Sequence, residues 1–129
     1  MRNDARELAF QLIYERLFVK EYFDEEFFAT LTKEEDADFA KSIVKNFEDN
    51  KSELEKIVSK HLIGYELDRV YKVDLALIYE ALTEILYNKT PKQVAINEVV
   101  NLAKKFSTEK SSRFVNGVLS SIIKDLELN

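Results

Sequence analysis

Cysteine is absent from the 129-residue chain, which excludes both a disulfide framework and a thiolate metal site. A single histidine, His61, leaves no paired-histidine metal motif, and two glycines leave no glycine-rich loop to cradle a phosphate. Long apolar runs are also missing. Nothing approaches the roughly 18 uninterrupted apolar residues of a membrane span, and the opening MRNDARELAFQLIYERLF lacks the continuous apolar centre of a secretory leader. These absences suit a reducing compartment, and the cytoplasm is the expected location. Carboxylates are plentiful, yet on a charged helical chain they read as solvated faces, and no spacing singles out an acid/base pair. The expectation is a protein that is not an enzyme, needs no cofactor, holds no metal and does not enter a membrane.

The net charge is −5, opposite in sign to most domains that grip nucleic acid by bulk electrostatics. Its distribution is uneven. Excess acid lies between positions 21 and 60, in EYFDEEFF and KEEDADF, whereas Lys92, Lys104, Lys105, Lys110 and Arg113 outnumber Glu98 and Glu109 in the stretch they span. A local basic face and an ordinary solvated helix exterior both fit this pattern.

What the chain has in abundance is helical periodicity, over a length that suits one compact domain. Ala5, Leu8, Ala9, Leu12, Ile13 and Leu17 define one face of a first helix, with Asn3 or Asp4 as its cap. A short segment near Glu25 to Leu31 follows. A longer one starts near Glu34 with Phe39, Ile43, Phe47, Leu54, Ile57 and Val58 inward, and it breaks near Asn50. Gly64 suits a helix C-terminus and divides residues 1–64 from 65–129 as two helical subdomains of one domain. The next helix is expected over Val70 to Tyr87, with Val73, Leu77, Leu82 and Ile85 as core positions. Thr90 as cap and Pro91 at the first position then open another, burying Ala95, Val99, Leu102, Ala103 and Phe106. The fold class is therefore all-α.

Asn116-Gly117, flanked by apolar residues, is on its face a tight hairpin turn. Val115, Val118, Leu119, Ile122, Ile123 and Leu126 nevertheless keep helical phase across the pair, so helix outweighs turn. A mid-helix glycine costs about 1 kcal/mol relative to alanine. Close approach of a neighbouring helix is the expected compensation, with a buried or interfacial bond from the Asn116 amide as a second device.

The run VAINEVVNLAKKFSTEKSSRFVNGVLSSI, preceded by LDRVYKVDLALIYEALTEILYNKTP and opened by ARELAFQLIYE, resembles the NusB family of bacterial transcription antitermination factors along nearly the whole chain. The most specific blocks are VAINEVVNLAKKF and RFVNGVL. The resemblance implies an all-helical fold of two small subdomains and a binding function: recognition of boxA-like RNA in nascent ribosomal RNA leaders, together with the ribosomal protein NusE, so that RNA polymerase passes terminators.

Carried over residue by residue, the resemblance assigns RNA binding to Arg2, Arg6 and Tyr14 at the amino terminus and to Lys110, Ser111, Arg113 and Phe114 at the start of the last helix. Arginine pairs with phosphate through parallel hydrogen bonds, and an aromatic ring stacks on an unpaired base. For Tyr14 and Phe114, packing against a neighbouring helix is the alternative. Glu84, in TEILY, matches a glutamate implied in partner binding, and an ordinary exposed helix glutamate is its alternative. The amino-terminal arm departs from the family by setting Asp4 and Glu7 among its arginines, which implies a shallow salt dependence and reliance on the basic partner. The rival reading is a helical adaptor or homodimer that binds no RNA; a helical DNA binder fits less well, because no recognition helix stands out.

Overall fold

The computed structural model describes residues 2–18 and 25–128; the first half of EYFDEEFF lies outside them. Seven α-helices and one 3-10 turn account for most of the described residues: α1 (Arg2–Arg16), α2 (Glu25–Phe28), α3 (Glu34–Asp49), α4 (Lys51–Lys60), the turn Leu67–Arg69, α5 (Lys72–Tyr87), α6 (Lys92–Phe106) and α7 (Glu109–Leu128). In α5 every residue from Asp74 to Glu84 is buried. A helix apolar on all sides belongs at the centre, and α5 packs against the α1/α3 pair and the α6/α7 pair.

The inward stripes follow the periodicity. Ala5, Ala9, Leu12 and Ile13 of α1, Ile43 and Phe47 of α3, Leu54 and Val58 of α4, and Val115, Leu119 and Ile122 of α7 are all buried in one core. Phe47 and Tyr79 meet there with ring centroids 5.3 Å apart, joining α3 to α5. Asn50 separates α3 from α4: its side-chain amide donates to the Asn46 carbonyl at 2.9 Å, a local bond that competes with continued helix. His61 closes α4, its ring nitrogens 2.8 Å from the Ile57 carbonyl and 3.1 Å from Asp125, so it ties α4 to α7.

Several boundaries differ from expectation. Helix α1 already runs from Arg2, so Asn3 and Asp4 lie within its first turn and do not cap it. Gly64 has φ +84, but it sits in the turn beyond α4, whose C-cap is His61. Pro91, not Thr90, is the cap residue of α6, and the Thr90 hydroxyl donates to Glu84 Oε1 at 2.9 Å. Thr108 caps α7, its hydroxyl accepting from the Ser111 amide at 3.0 Å. Phe106, expected inward, is 39% exposed and rests on Phe10 with ring centroids 5.5 Å apart.

Gly117 is helical, as its phase requires, but the expected close approach is absent: a Cβ there would meet nothing within 4 Å. Both Asn116 and Gly117 are exposed, so the pair does not join two helices. Gly117→Ala should therefore raise stability by roughly 0.5–1 kcal/mol through helix propensity alone. Urea melts followed by circular dichroism should show a higher midpoint with unchanged slope; a lower midpoint would restore a packing role for the missing Cβ.

Candidate nucleic-acid interface

Two constellations hold the residues singled out from sequence, and they differ in character. The first is interior. Arg6 of α1 is 6% exposed and Glu84 of α5 is 0% exposed. The Arg6 Nε lies 3.0 and 2.9 Å from the two Glu84 carboxylate oxygens. Thr90 adds its hydroxyl to the same carboxylate, and its backbone N–H donates to the Glu84 carbonyl at 3.0 Å. Glu84 therefore offers no surface to a partner, and Arg6 offers no free fork to a phosphate; both are corrected from site residues to the ion pair that fastens α1 to α5. Arg2 is exposed, and its guanidinium lies 3.9 Å over the Phe39 ring of α3, on the side that Arg6 also faces.

One turn before Glu84, Glu80 is fully buried, and no donor reaches either of its oxygens. Burial first, then the adjacent Glu84 carboxylate, push its pKa well above the usual carboxylate range, against a smaller opposing pull from Arg6. Burial beside a second carboxylate favours the protonated form of Glu80, the form that has a proton to offer Glu84. The signal in the sequence was two glutamates spaced i, i+4 on the most apolar helix.

The second constellation is a surface edge where α5 and α7 begin. Tyr65, Arg69, Val70, Tyr71, Asp74, Lys110, Ser111 and Phe114 line an open groove of about 370 Å³. Ser111 is buried, its hydroxyl 3.3 Å from Asp74 Oδ2, so it positions the acid and does not face solvent. Phe114 is half-buried beside Tyr65, ring centroids 6.3 Å apart. Lys110 is exposed without an ion pair among the described residues, while exposed Arg113 lies 3.9 Å from Glu109. Burial raises the pKa of Asp74, partly countered by Ser111, and its Oδ1 is buried without a hydrogen-bond partner. Asp74, Tyr65 and Arg69 were not among the residues expected from sequence.

Tyr14 is half-buried, edge-on to Phe18 at 5.0 Å. It lies one turn beyond Phe10, which meets Phe106, and Lys105 next to Phe106 bonds Glu7 at 2.7 Å. These contacts bring the Glu7–Tyr14 side of α1 beside the α6/α7 corner. Among the described residues, no group of histidine, cysteine or acidic side chains could hold a metal ion, and no helix is long and apolar enough to cross a membrane.

Helices packed around a central α5, with the Arg6–Glu84 pair sealed inside, define an all-helical bundle. The chain belongs to the NusB family, whose model matches residues 3–124. It is 41% identical to the transcription antitermination protein NusB of Finegoldia magna, covering 98% of this chain and 96% of that one. The corresponding protein of Oceanobacillus iheyensis is 40% identical over 95% of this chain and 98% of its own. Among solved structures, NusB of T. maritima superposes with TM-score 0.86 at 27% identity, covering 96% of this chain and 91% of that one. A crystal structure of the antitermination factors NusB and NusE with double-stranded RNA gives TM-score 0.86 at 28% identity, covering 96% of each chain. These relatives are transcription factors, not enzymes.

Proposed function

We propose that this chain is a cytoplasmic transcription antitermination factor that binds boxA-like single-stranded RNA of ribosomal RNA leaders together with the ribosomal protein NusE, and so supports read-through by RNA polymerase. The observation that carries the RNA and NusE reading is likeness over 96% of each chain to a NusB seen with NusE and double-stranded RNA; the preference for single strands rests on the resemblance and on the ring chemistry of the surface edge. The surface edge supplies a mechanism. Lys110 and Arg113 are exposed cations for phosphate, and Phe114 and Tyr14 are rings on which bases can stack. Rings of this kind select unpaired bases, because a base within a duplex has both faces occupied. The division near Gly64 is part of the same proposal, with α1–α4 as one subdomain and α5–α7 as the other.

The net charge of −5 works against bulk attraction to RNA, so a basic partner should contribute much of the affinity. Fluorescence anisotropy with boxA-like oligonucleotides, single- and double-stranded, with and without NusE, tests the reading. Preference for the single-stranded sequence, strengthened by NusE, is the expected result; no sequence preference even with NusE would remove the RNA role. Lys110→Glu should weaken binding across sequences and lower the salt slope by about one. An unchanged slope would take Lys110 out of the interface.

A further inference from the structure

We infer that the groove between the 3-10 turn and the start of α7 is a subsite for one unpaired guanine, held by hydrogen bonds from its Watson–Crick edge to the carboxylate of Asp74. The inference rests on the RNA-binding reading above and adds to it a residue that specifies sequence. Asp74 is 6% exposed and lines the groove, and its Oδ1 has no partner. Native proteins rarely leave a buried polar atom unmatched, and such an atom is a reason to look for a ligand. Ser111 occupies only one lone pair of Oδ2 and holds the carboxylate in place.

The chemistry of the bases selects among them. A carboxylate offers two adjacent acceptors. Guanine alone presents two adjacent donors, N1–H and the N2 amino group. Adenine and cytosine set an acceptor beside their amino group, and uracil flanks its single N–H with two carbonyls, so each would bring an acceptor against the acid. Tyr65 and Phe114 supply ring surface along the groove, and Arg69 and Lys110 supply positive charge for flanking phosphates. A volume of about 370 Å³ falls within the range of small-molecule pockets. Tyr65 and Lys110 are exposed side chains at its margin, and their rotation is the access step that the proposal requires.

The test is a panel of boxA-like oligonucleotides, each position varied through the four bases, titrated against the complex with NusE. The wild-type protein should prefer guanine by about tenfold or more at one position. Asp74→Asn, which keeps shape but replaces one acceptor by a donor, should abolish that preference and leave the other positions unchanged. Tyr65→Leu, a change outside the helices, should weaken binding several-fold to RNA carrying that guanine and have no effect on RNA abasic at the same position. A wild-type complex that binds RNA without such a position, or an Asp74→Asn complex that keeps the guanine preference, overturns the subsite. Failure of the wild-type complex to bind any of the panel would instead overturn the RNA-binding reading itself.

Discussion

Replacing Arg6 with alanine is expected to destabilise the fold by about 3–5 kcal/mol, the range for removing one partner from a buried ion pair. The size follows from what is left behind. Glu84 is fully buried at the centre of the bundle, and among the described residues the Thr90 hydroxyl is the donor its carboxylate has besides Arg6, too little to offset lost hydration. Replacing both partners together, Arg6→Met with Glu84→Leu, should cost far less than either single change, because no charge then remains to be solvated. Urea unfolding of the two single variants and the double variant measures the coupling directly. The result also bears on RNA. An Arg6→Ala protein that loses less than about 1 kcal/mol yet binds RNA with a shallower salt slope would return Arg6 to the phosphate-binding set.

Helices were legible because each repeats its own apolar phase locally: Ala5, Ala9 and Ile13, or Val115, Leu119 and Ile122, need no knowledge of the rest of the chain. Partners were not. Arg6 and Glu84 are 78 positions apart, and nothing in either neighbourhood announces that an arginine in a charged amino-terminal helix will be drawn inside by an acid from an apolar one. Family likeness marked both residues as important but carried no information about burial. Gly117 misled for the same reason. Its phase identified helix correctly, whereas the open space beside it depends on where α4 and the turn after it come to rest. Asp74 could be read only as a charged residue in the first turn of α5; the unmatched oxygen and the bond from Ser111, 37 positions away, exist only in three dimensions.

Glu80 gives the second large effect, and its sign can be worked out. Folding raises the Glu80 pKa well above 4.5, so the native state holds a proton that the unfolded chain releases. Stability from this group is complete below the unfolded value and is lost as pH rises through the folded value. A tenfold weaker acid in the fold corresponds to about 1.4 kcal/mol, so the loss is measurable by denaturation. Asp74, also raised by burial, contributes in the same direction, and the informative quantity is therefore a difference between proteins. Glu80→Gln carries a permanent donor where the wild type must keep a proton, and it can still bond Glu84. The variant should match the wild type near pH 4 and become progressively more stable than it towards alkaline pH. The cluster explains why: one arginine charge balances one carboxylate charge, and a second buried carboxylate has no cation left to face it. Parallel stability curves for wild type and Glu80→Gln from acid to alkaline pH would mean that Glu80 is ionised in the fold, and the reading of Arg6, Glu84 and Glu80 as a neutral buried set would then fail.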